Sequence, residues 1–175
     1  MSSPSCLPVV AWSLALSVLL SVTVHAAETS LPRPEGDVIL TLTGNIANAN
    51  VADKALFDRT MLHQLPQTSF TTTTIWTEGE GRFTGVLLRD LLVAVGSEGR
   101  SLKAIALNDY AVEIPASDKT SDSALVAYEV DGEPMSVRDK GPLWIVYPYD
   151  SASRFQTETV YSRSIWQLTQ IEVLD

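Results

Sequence analysis

The chain has 175 residues, with 12 Lys and Arg against 21 Asp and Glu, and its formal net charge is −9 at pH 7. This acidic balance argues against binding to a nucleic-acid backbone, which needs clustered cations, so no nucleic-acid partner is expected. One cysteine and two histidines leave little room for thiol or metal chemistry, and the length suits one domain.

The charged residues are distributed unevenly, because none of them lies among residues 1–26. Residues 9–24 form an apolar run, the small-residue pattern Val24-His25-Ala26 closes it, and a polar, proline-containing lead-in follows at residues 27–36. This pattern predicts a secretory signal peptide over residues 1–26, and hence an exported protein. The first eight residues lack Lys and Arg, so an uncleaved N-terminal anchor is the alternative, although the apolar run is short for a membrane span.

Cleavage near Ala26 would remove Cys6 and leave His63 as the remaining histidine. Disulfides, thiolate nucleophiles and cysteine-bound metals are then excluded. A Ser-His-Asp triad would have to use His63, and no Gly-x-Ser-x-Gly motif accompanies it. The sequence therefore assigns no catalytic residue and no metal ligand.

Strand and helix patterns follow one another from residue 37 onward. Residues 37–44 alternate with a period of two and predict a strand. Residues 53–65 carry an apolar stripe and predict a short amphipathic helix that ends before Pro66, with His63 facing solvent. Residues 69–77 are rich in Thr, Ile, Phe and Trp, which favours another strand.

The second half of the chain is mostly strand-like. Residues 87–95 predict a second helix with Gly96 in the left-handed position after it, and Asp131-Gly132 predicts a hairpin turn. Further strands are predicted at residues 102–107, 110–114, 124–130, 143–147 and 165–173. Two or three short helices among about seven strands, without regular β-α-β alternation, predict an α+β fold with mixed sheets.

Several aromatic side chains lie close to turns. Trp76 precedes a glycine-rich turn, Trp144 follows Pro142 and leads into Tyr147-Pro148-Tyr149, and Asn108-Asp109 separates two predicted strands. Aromatic rings beside amides and carboxylates suit a planar, nitrogen-rich ligand. Trp and Tyr are also ordinary core residues, and Asn and Asp are common turn formers, so both interpretations stay open. Acidic residues between positions 118 and 133 lack EF-hand spacing and are better explained as turn residues than as a calcium site.

Six pieces of the sequence occur in an order typical of one known domain. They are Thr72-x-x-x-Trp76, FTGVLLRDLL at 83–92, ALNDY at 106–110 with Ile114-Pro115, LVA at 125–127 with DGEPM at 131–135, GPLWIVYP at 141–148, and SIWQL at 164–168 with IEV at 171–173. Together they resemble the oxidoreductase molybdopterin-binding domain, which has the sulfite-oxidase fold. The resemblance implies a compact domain of mixed sheets over residues 37–175, with a cleft for a pyranopterin-type cofactor.

The departures from the family pattern concern the metal. Enzymes of this family bind molybdenum through a cysteine thiolate four residues before the tryptophan, and the resemblance places Thr72 there. A threonine hydroxyl ionises far less readily than a thiol and is a harder ligand, which argues against molybdenum and against redox catalysis. Trp144 stands where the family enzymes usually carry an arginine.

The chain is similar to exported, cysteine-lacking relatives that bind pterins in the periplasm and regulate a membrane-bound enzyme of cyclic-di-GMP metabolism. The resemblance thus implies a periplasmic, non-catalytic protein with two partners: a small-molecule pterin and the periplasmic domain of a membrane-bound signalling enzyme. The implied ligand-binding residues are Trp76 or Trp144 as the stacking surface, Asn108 and Asp109 at the pterin edge, Thr72 as a hydroxyl donor, and Tyr149, Arg154 and Arg163 at a polyol or phosphate tail. Two alternatives stay open: a molybdenum-cofactor oxidoreductase of the same family, and a protein-interaction module that has lost ligand binding.

Overall fold

The computed structural model of the protein describes residues 31–116 and 118–175. The predicted signal peptide, with Cys6, and residues 27–30 of the lead-in lie outside the described residues. Residues 31–37 run into the first strand without regular secondary structure. Within the described ranges, no helix combines the length and apolar character needed to cross a membrane.

The first of two sheets joins the beginning and the end of the described chain. Its strands are β1 (Val38–Gly44), β2 (Ala55–Asp58), β5 (Ser101–Ala106), β6 (Ala111–Pro115) and β10 (Leu168–Leu174), in the order β2-β1-β10-β5-β6. β1 and β10 are parallel, with Leu42 opposite Ile171, and the other pairs are antiparallel. The mixed pairing agrees with the predicted mixed sheets.

The second sheet is antiparallel. It contains β3 (Gln67–Thr73), β4 (Glu80–Leu87), β7 (Leu125–Val130) and β8 (Glu133–Pro134) in that order, and β9 (Trp144–Val146) also pairs with β7. The predicted Asp131-Gly132 turn joins β7 to β8, with φ angles of 55° and 84°. A tight hairpin turn of this kind requires positive φ at both central positions, which Asp and Gly tolerate.

Three short helices complete the described fold. They are α1 (Arg59–Gln64), α2 (Leu88–Ala94) and α3 (Glu158–Ser162). Gly96 follows α2 with a φ of 60°, as predicted. Mixed sheets with three short helices confirm the predicted α+β class.

The interior consists of two apolar clusters. The larger one contains Leu40 and Leu42 of β1, both fully buried as their alternation predicts. The smaller one contains other residues of the second sheet, among them Phe83 and Trp144. Trp76 packs against both clusters and therefore lies at their junction.

The predicted helix over residues 53–65 is wrong in its first half, where Ala55–Asp58 forms strand β2 against β1. Asp58 explains the change of structure. One carboxylate oxygen accepts the Met61 amide at 2.8 Å and caps α1, while the other accepts the Gly36 amide at 2.9 Å. The Gly36 amide and then the Met61 amide lower the pKa of the Asp58 carboxyl. The helix is therefore confined to the residues after this cap.

Two predicted strands are also shorter in the structure. The strand predicted over residues 69–77 ends at Thr73, and the one predicted over 165–173 begins only at Leu168, because Gln167 has a φ of 51°. His63 is exposed, as predicted, and its ring stacks on that of Tyr128 with a centroid separation of 4.5 Å.

Candidate functional site

Trp76 lies at the centre of a cluster of aromatic rings. Its ring centroid is 6.0 Å from that of Trp144, 6.2 Å from Tyr149, 5.9 Å from Tyr161 and 5.7 Å from Trp166. All four contacts are edge to face, a geometry that contributes about 0.5–1.5 kcal/mol per pair beyond burial. We call these five residues the Trp76 cluster, and their contacts fix the orientation of the rings.

Distant parts of the chain supply this cluster. Trp76 follows β3, Trp144 opens β9, and Tyr161 belongs to α3. Trp166 precedes β10 and is joined to Trp144 by an isolated antiparallel bridge. The cluster therefore forms only when the second sheet, α3 and the segment before β10 have packed together.

A groove of about 430 Å³ opens beside the cluster. Its lining residues are Trp76, Tyr110, Glu158, Tyr161, Ser162, Ser164 and Trp166. Tyr110 and Trp166 are 57% and 38% exposed, so their rings are accessible to a ligand. We call this feature the Trp76 groove, and its flat apolar walls suit a planar heterocycle.

Thr72 lies apart from the groove lining, in a corner that Asp150 closes. Thr72 is 1% exposed, its hydroxyl lies 3.1 Å from a carboxylate oxygen of Asp150, and it accepts the Asp150 amide at 3.2 Å. Thr73 donates both its amide and its hydroxyl to the same carboxylate, the hydroxyl at 3.0 Å. These bonds, that of the Thr73 amide first, lower the pKa of the Asp150 carboxyl. We call Thr72, Thr73 and Asp150 the Thr72 corner, and its polar groups satisfy one another.

Tyr149 lies beneath the groove rather than at its rim. The residue is 2% exposed, and its hydroxyl lies 2.6 Å from the Ser164 hydroxyl. Ser164 donates its single proton to the Val160 carbonyl at 2.9 Å, so Tyr149 donates to Ser164. Burial raises the pKa of Tyr149 to about 12, and the side chain stays neutral as a fixed support for a groove-lining serine.

Trp144 faces a different cavity, a cleft of about 490 Å³. The charged residues of this acidic cleft are Glu78, Glu80, Asp131, Glu133, Arg138, Asp139 and Lys140. Trp144 is 1% exposed, Lys140 Nζ lies 5.7 Å from its ring centroid, and among the described residues its indole N–H finds no hydrogen-bond partner. Of the two predicted stacking residues, Trp76 is the one that lines the Trp76 groove.

Asn108 and Asp109 form the turn between β5 and β6 and are both exposed. The Asn108 side chain accepts the Tyr110 amide at 3.3 Å, and Asp109 has a φ of 64°. These are the properties of turn formers, the simpler of the two sequence interpretations. The turn nevertheless positions Tyr110, which lines the groove.

The two predicted arginine contacts lie outside the groove lining. Arg154 is exposed and packs its guanidinium over the Phe155 ring at 4.4 Å. Arg163 forms an ion pair with Asp118 at 2.7 Å. The Thr120 amide and then Arg163 lower the pKa of the Asp118 carboxyl. The structure thus brings the predicted aromatic residues together, but not the predicted polar ones.

Sequence reasoning missed several residues of the groove. Tyr110, Tyr161 and Trp166 carried a signal, since they are aromatic residues next to turns or chain reversals. Glu158 gave no sequence signal for a role in the groove, because an isolated glutamate at the start of a short helix is typical of a solvated surface. Within residues 31–116 and 118–175, no group of three or more His, Cys, Asp or Glu side chains is arranged to hold a metal ion.

Comparison with known proteins relates this geometry to a family. The family model described as oxidoreductase molybdopterin binding domain matches residues 51–156. Among solved structures, the chain is similar to the sulfane dehydrogenase SoxCD from Paracoccus pantotrophus, with a TM-score of 0.60 and 18% sequence identity over 83% of this chain. The match spans 40% of that SoxCD chain, and no curated protein sequence matches this one. The chain belongs to the oxidoreductase molybdopterin-binding domain family, whose sulfite-oxidase fold it shares.

Proposed function

We propose that this chain is an exported, non-catalytic pterin-binding protein. The observation that carries the proposal is the Trp76 groove, an aromatic groove in a domain whose family is defined by molybdopterin binding. A pterin is a flat, uncharged bicyclic ring. It needs a stacking surface and hydrogen-bond partners along its edge, and it needs no metal.

The strength of such a site depends on how much of it is formed before the ligand binds. One stack contributes about 1–3 kcal/mol by analogy with nucleobases, and each hydrogen bond about 1 kcal/mol. These contributions sustain a dissociation constant of about 1 μM only if little ordering accompanies binding. The edge-to-face contacts of Trp76 and the Tyr149–Ser164 hydrogen bond hold the groove in place and support that condition.

The Thr72 corner supports a role without molybdenum. By the family resemblance, Thr72 occupies the place of the thiolate that binds the metal, and a hydroxyl is a poor substitute for that soft donor. Its hydroxyl is also engaged with Asp150. The donor set at this corner does not fit a thiolate-bound metal, whereas the Trp76 groove fits a planar organic ring.

We also propose a regulatory partner, the periplasmic domain of a membrane-bound enzyme of cyclic-di-GMP metabolism. The support is the similarity to cysteine-lacking periplasmic regulators and the signal-peptide pattern over residues 1–26. Pterin-loaded and pterin-free protein, each used to capture proteins from a membrane extract of the source cells, test this part. Ligand-dependent capture of a cyclic-di-GMP enzyme is expected, and its absence in both states would contradict the regulatory role.

Titration with a fluorescent reduced pterin tests ligand binding. Protein that begins at Ala27 should bind with a dissociation constant of about 1 μM. Tyr110→Ala should weaken binding about tenfold, because it removes one ring from the groove. Leu107→Ala is the matched control, since Leu107 and Tyr110 are both 57% exposed on the same turn and Leu107 does not line the groove. No binding by folded wild-type protein at millimolar pterin would contradict the proposal.

Elemental analysis separates this proposal from the oxidoreductase alternative. Protein expressed in medium with added molybdate should contain no stoichiometric molybdenum. One molybdenum per chain would favour the enzyme instead. If neither pterin nor molybdenum binds while a partner does, the interaction module is the correct alternative.

A further inference from the structure

One charged side chain stands out among the residues that line the Trp76 groove. Glu158 is the first residue of α3, and the other lining residues are aromatic rings and two serines. Its carboxylate is not used to cap the helix, since the Thr157 hydroxyl accepts the Val160 amide at 3.3 Å. Within the described residues, the ion pairs are Arg89–Asp90 and Arg163–Asp118, so Glu158 has no cation at contact distance.

The hydroxyl groups of the two serines beside Glu158 already donate hydrogen bonds to backbone carbonyls. Ser162 donates to the Thr159 carbonyl at 2.8 Å, and Ser164 donates to the Val160 carbonyl at 2.9 Å. Among the described groove residues, Glu158 therefore offers two acceptor oxygens in one plane, the geometry that binds two parallel N–H donors.

We propose that Glu158 recognises the pyrimidine edge of the ligand and makes the groove selective for 2-amino-4-oxo pteridines. This inference rests on the proposed pterin-binding function. The pterin edge presents the N3–H and the 2-amino group side by side, and the two carboxylate oxygens accept one hydrogen bond from each. Charge-assisted pairs of this kind are shorter and stronger than neutral hydrogen bonds.

The same geometry rejects related heterocycles. Lumazine has the pteridine ring of pterin but carries a carbonyl oxygen in place of the 2-amino group. That oxygen would face the Glu158 carboxylate, so one hydrogen bond is lost and two acceptors are placed in contact. The isoalloxazine ring of flavins presents a similar dione edge and is disfavoured for the same reason. Selectivity of this type comes from a repulsive contact as well as an attractive one.

Affinities for pterin and for lumazine, measured on the same protein samples, test this assignment. Wild-type protein should prefer pterin by at least about tenfold, and Glu158→Gln should weaken pterin binding by about tenfold. The preference should largely disappear in this variant, because the glutamine amide can donate to the lumazine carbonyl. Glu133→Gln, at an exposed glutamate of the acidic cleft, is the matched control and should change neither affinity by more than about twofold.

The outcomes separate this inference from the function on which it rests. If wild-type protein binds pterin and Glu158→Gln keeps the wild-type preference over lumazine, the assignment of Glu158 is wrong and the pterin-binding function stands. If folded wild-type protein binds neither compound, the pterin-binding function is wrong and the assignment fails with it. Glu158 is exposed, so circular dichroism should show an unchanged fold in the variant.

Discussion

The Trp76 groove and the Thr72 corner are neighbours in the chain but use their polar groups in opposite ways. In the corner, the buried Thr72 hydroxyl contacts the Asp150 carboxylate and accepts the Asp150 amide, so these groups have partners within the protein. In the groove, Glu158 has no cation partner among the described residues, and the Trp166 ring is partly exposed. Groups without internal partners are the ones that a ligand can engage. This difference supports the proposal that the ligand binds in the groove and that the corner has a structural role.

The largest effect on binding is expected in the groove. Trp166→Ala removes an accessible ring and should weaken pterin binding by about 1–3 kcal/mol, which corresponds to a rise of about fivefold to 150-fold in the dissociation constant. Ile75→Ala is the control, because Ile75 is 63% exposed, lies next to Trp76 and does not line the groove. A fluorescence titration of both variants measures the difference, and equal pterin affinities of the two variants would show that the Trp166 ring does not contact the ligand.

A smaller effect, on folding rather than binding, is expected in the corner. Thr72→Val keeps the shape of the side chain but leaves the Asp150 amide without its acceptor, so the free energy of unfolding should fall by about 1 kcal/mol. Thr71→Val, on the exposed side of the same strand, should change it less. Urea unfolding of both variants checks the stability, and a pterin titration of Thr72→Val should give less than about a twofold change in affinity. A tenfold loss would show that Thr72 contacts the ligand.

The smallest expected effect is the contribution of the Asp150 carboxylate to the pH dependence of the free energy of unfolding. Hydrogen bonds from Thr73 hold the pKa of Asp150 below its ordinary value of 3.8. A lowered folded-state pKa means that the carboxylate stabilises the fold above that ordinary value, and that this contribution is lost as pH falls through the lower folded-state pKa. Asp150→Asn should therefore show a shallower loss of stability below about pH 4 than wild type.

Asp37→Asn, at an exposed aspartate before β1, is the control for general charge effects and should follow the wild-type curve. Thermal unfolding recorded between neutral and acidic pH measures all three proteins. Identical curves for wild type and Asp150→Asn would mean that the corner carboxylate does not contribute to stability.

The sequence anticipated those parts of the fold that depend on local patterns. The alternation of Leu40 and Leu42 predicted a buried strand face, and Asp131-Gly132 predicted a turn because these residues tolerate positive φ. The error at residues 53–65 had a non-local cause. Asp58 is the last residue of β2 and caps α1, and its carboxylate accepts hydrogen bonds from the amides of Met61 and Gly36. No local sequence pattern predicts the contact with Gly36.

The groove was only partly predictable for a similar reason. Trp76 could be selected because it is aromatic and precedes a turn, and the family resemblance gave it a role. Asn108 and Arg163 had suitable chemistry, but their side chains are used in a turn and in an ion pair with Asp118. Glu158 lines the groove only because α3 packs beside residues that are far away in the chain. The location of such a residue depends on tertiary packing, which cannot be inferred from the local pattern of a single sequence.

Calorimetric titration of the metal-free protein with a reduced pterin measures directly whether the chain binds a pterin without molybdenum. We expect saturable binding of one pterin per chain, with a dissociation constant of about 1 μM, by protein whose molybdenum content is negligible. Folded protein that shows no binding heat at any titration temperature, or binding that appears only when molybdenum is present at one atom per chain, would contradict this expectation.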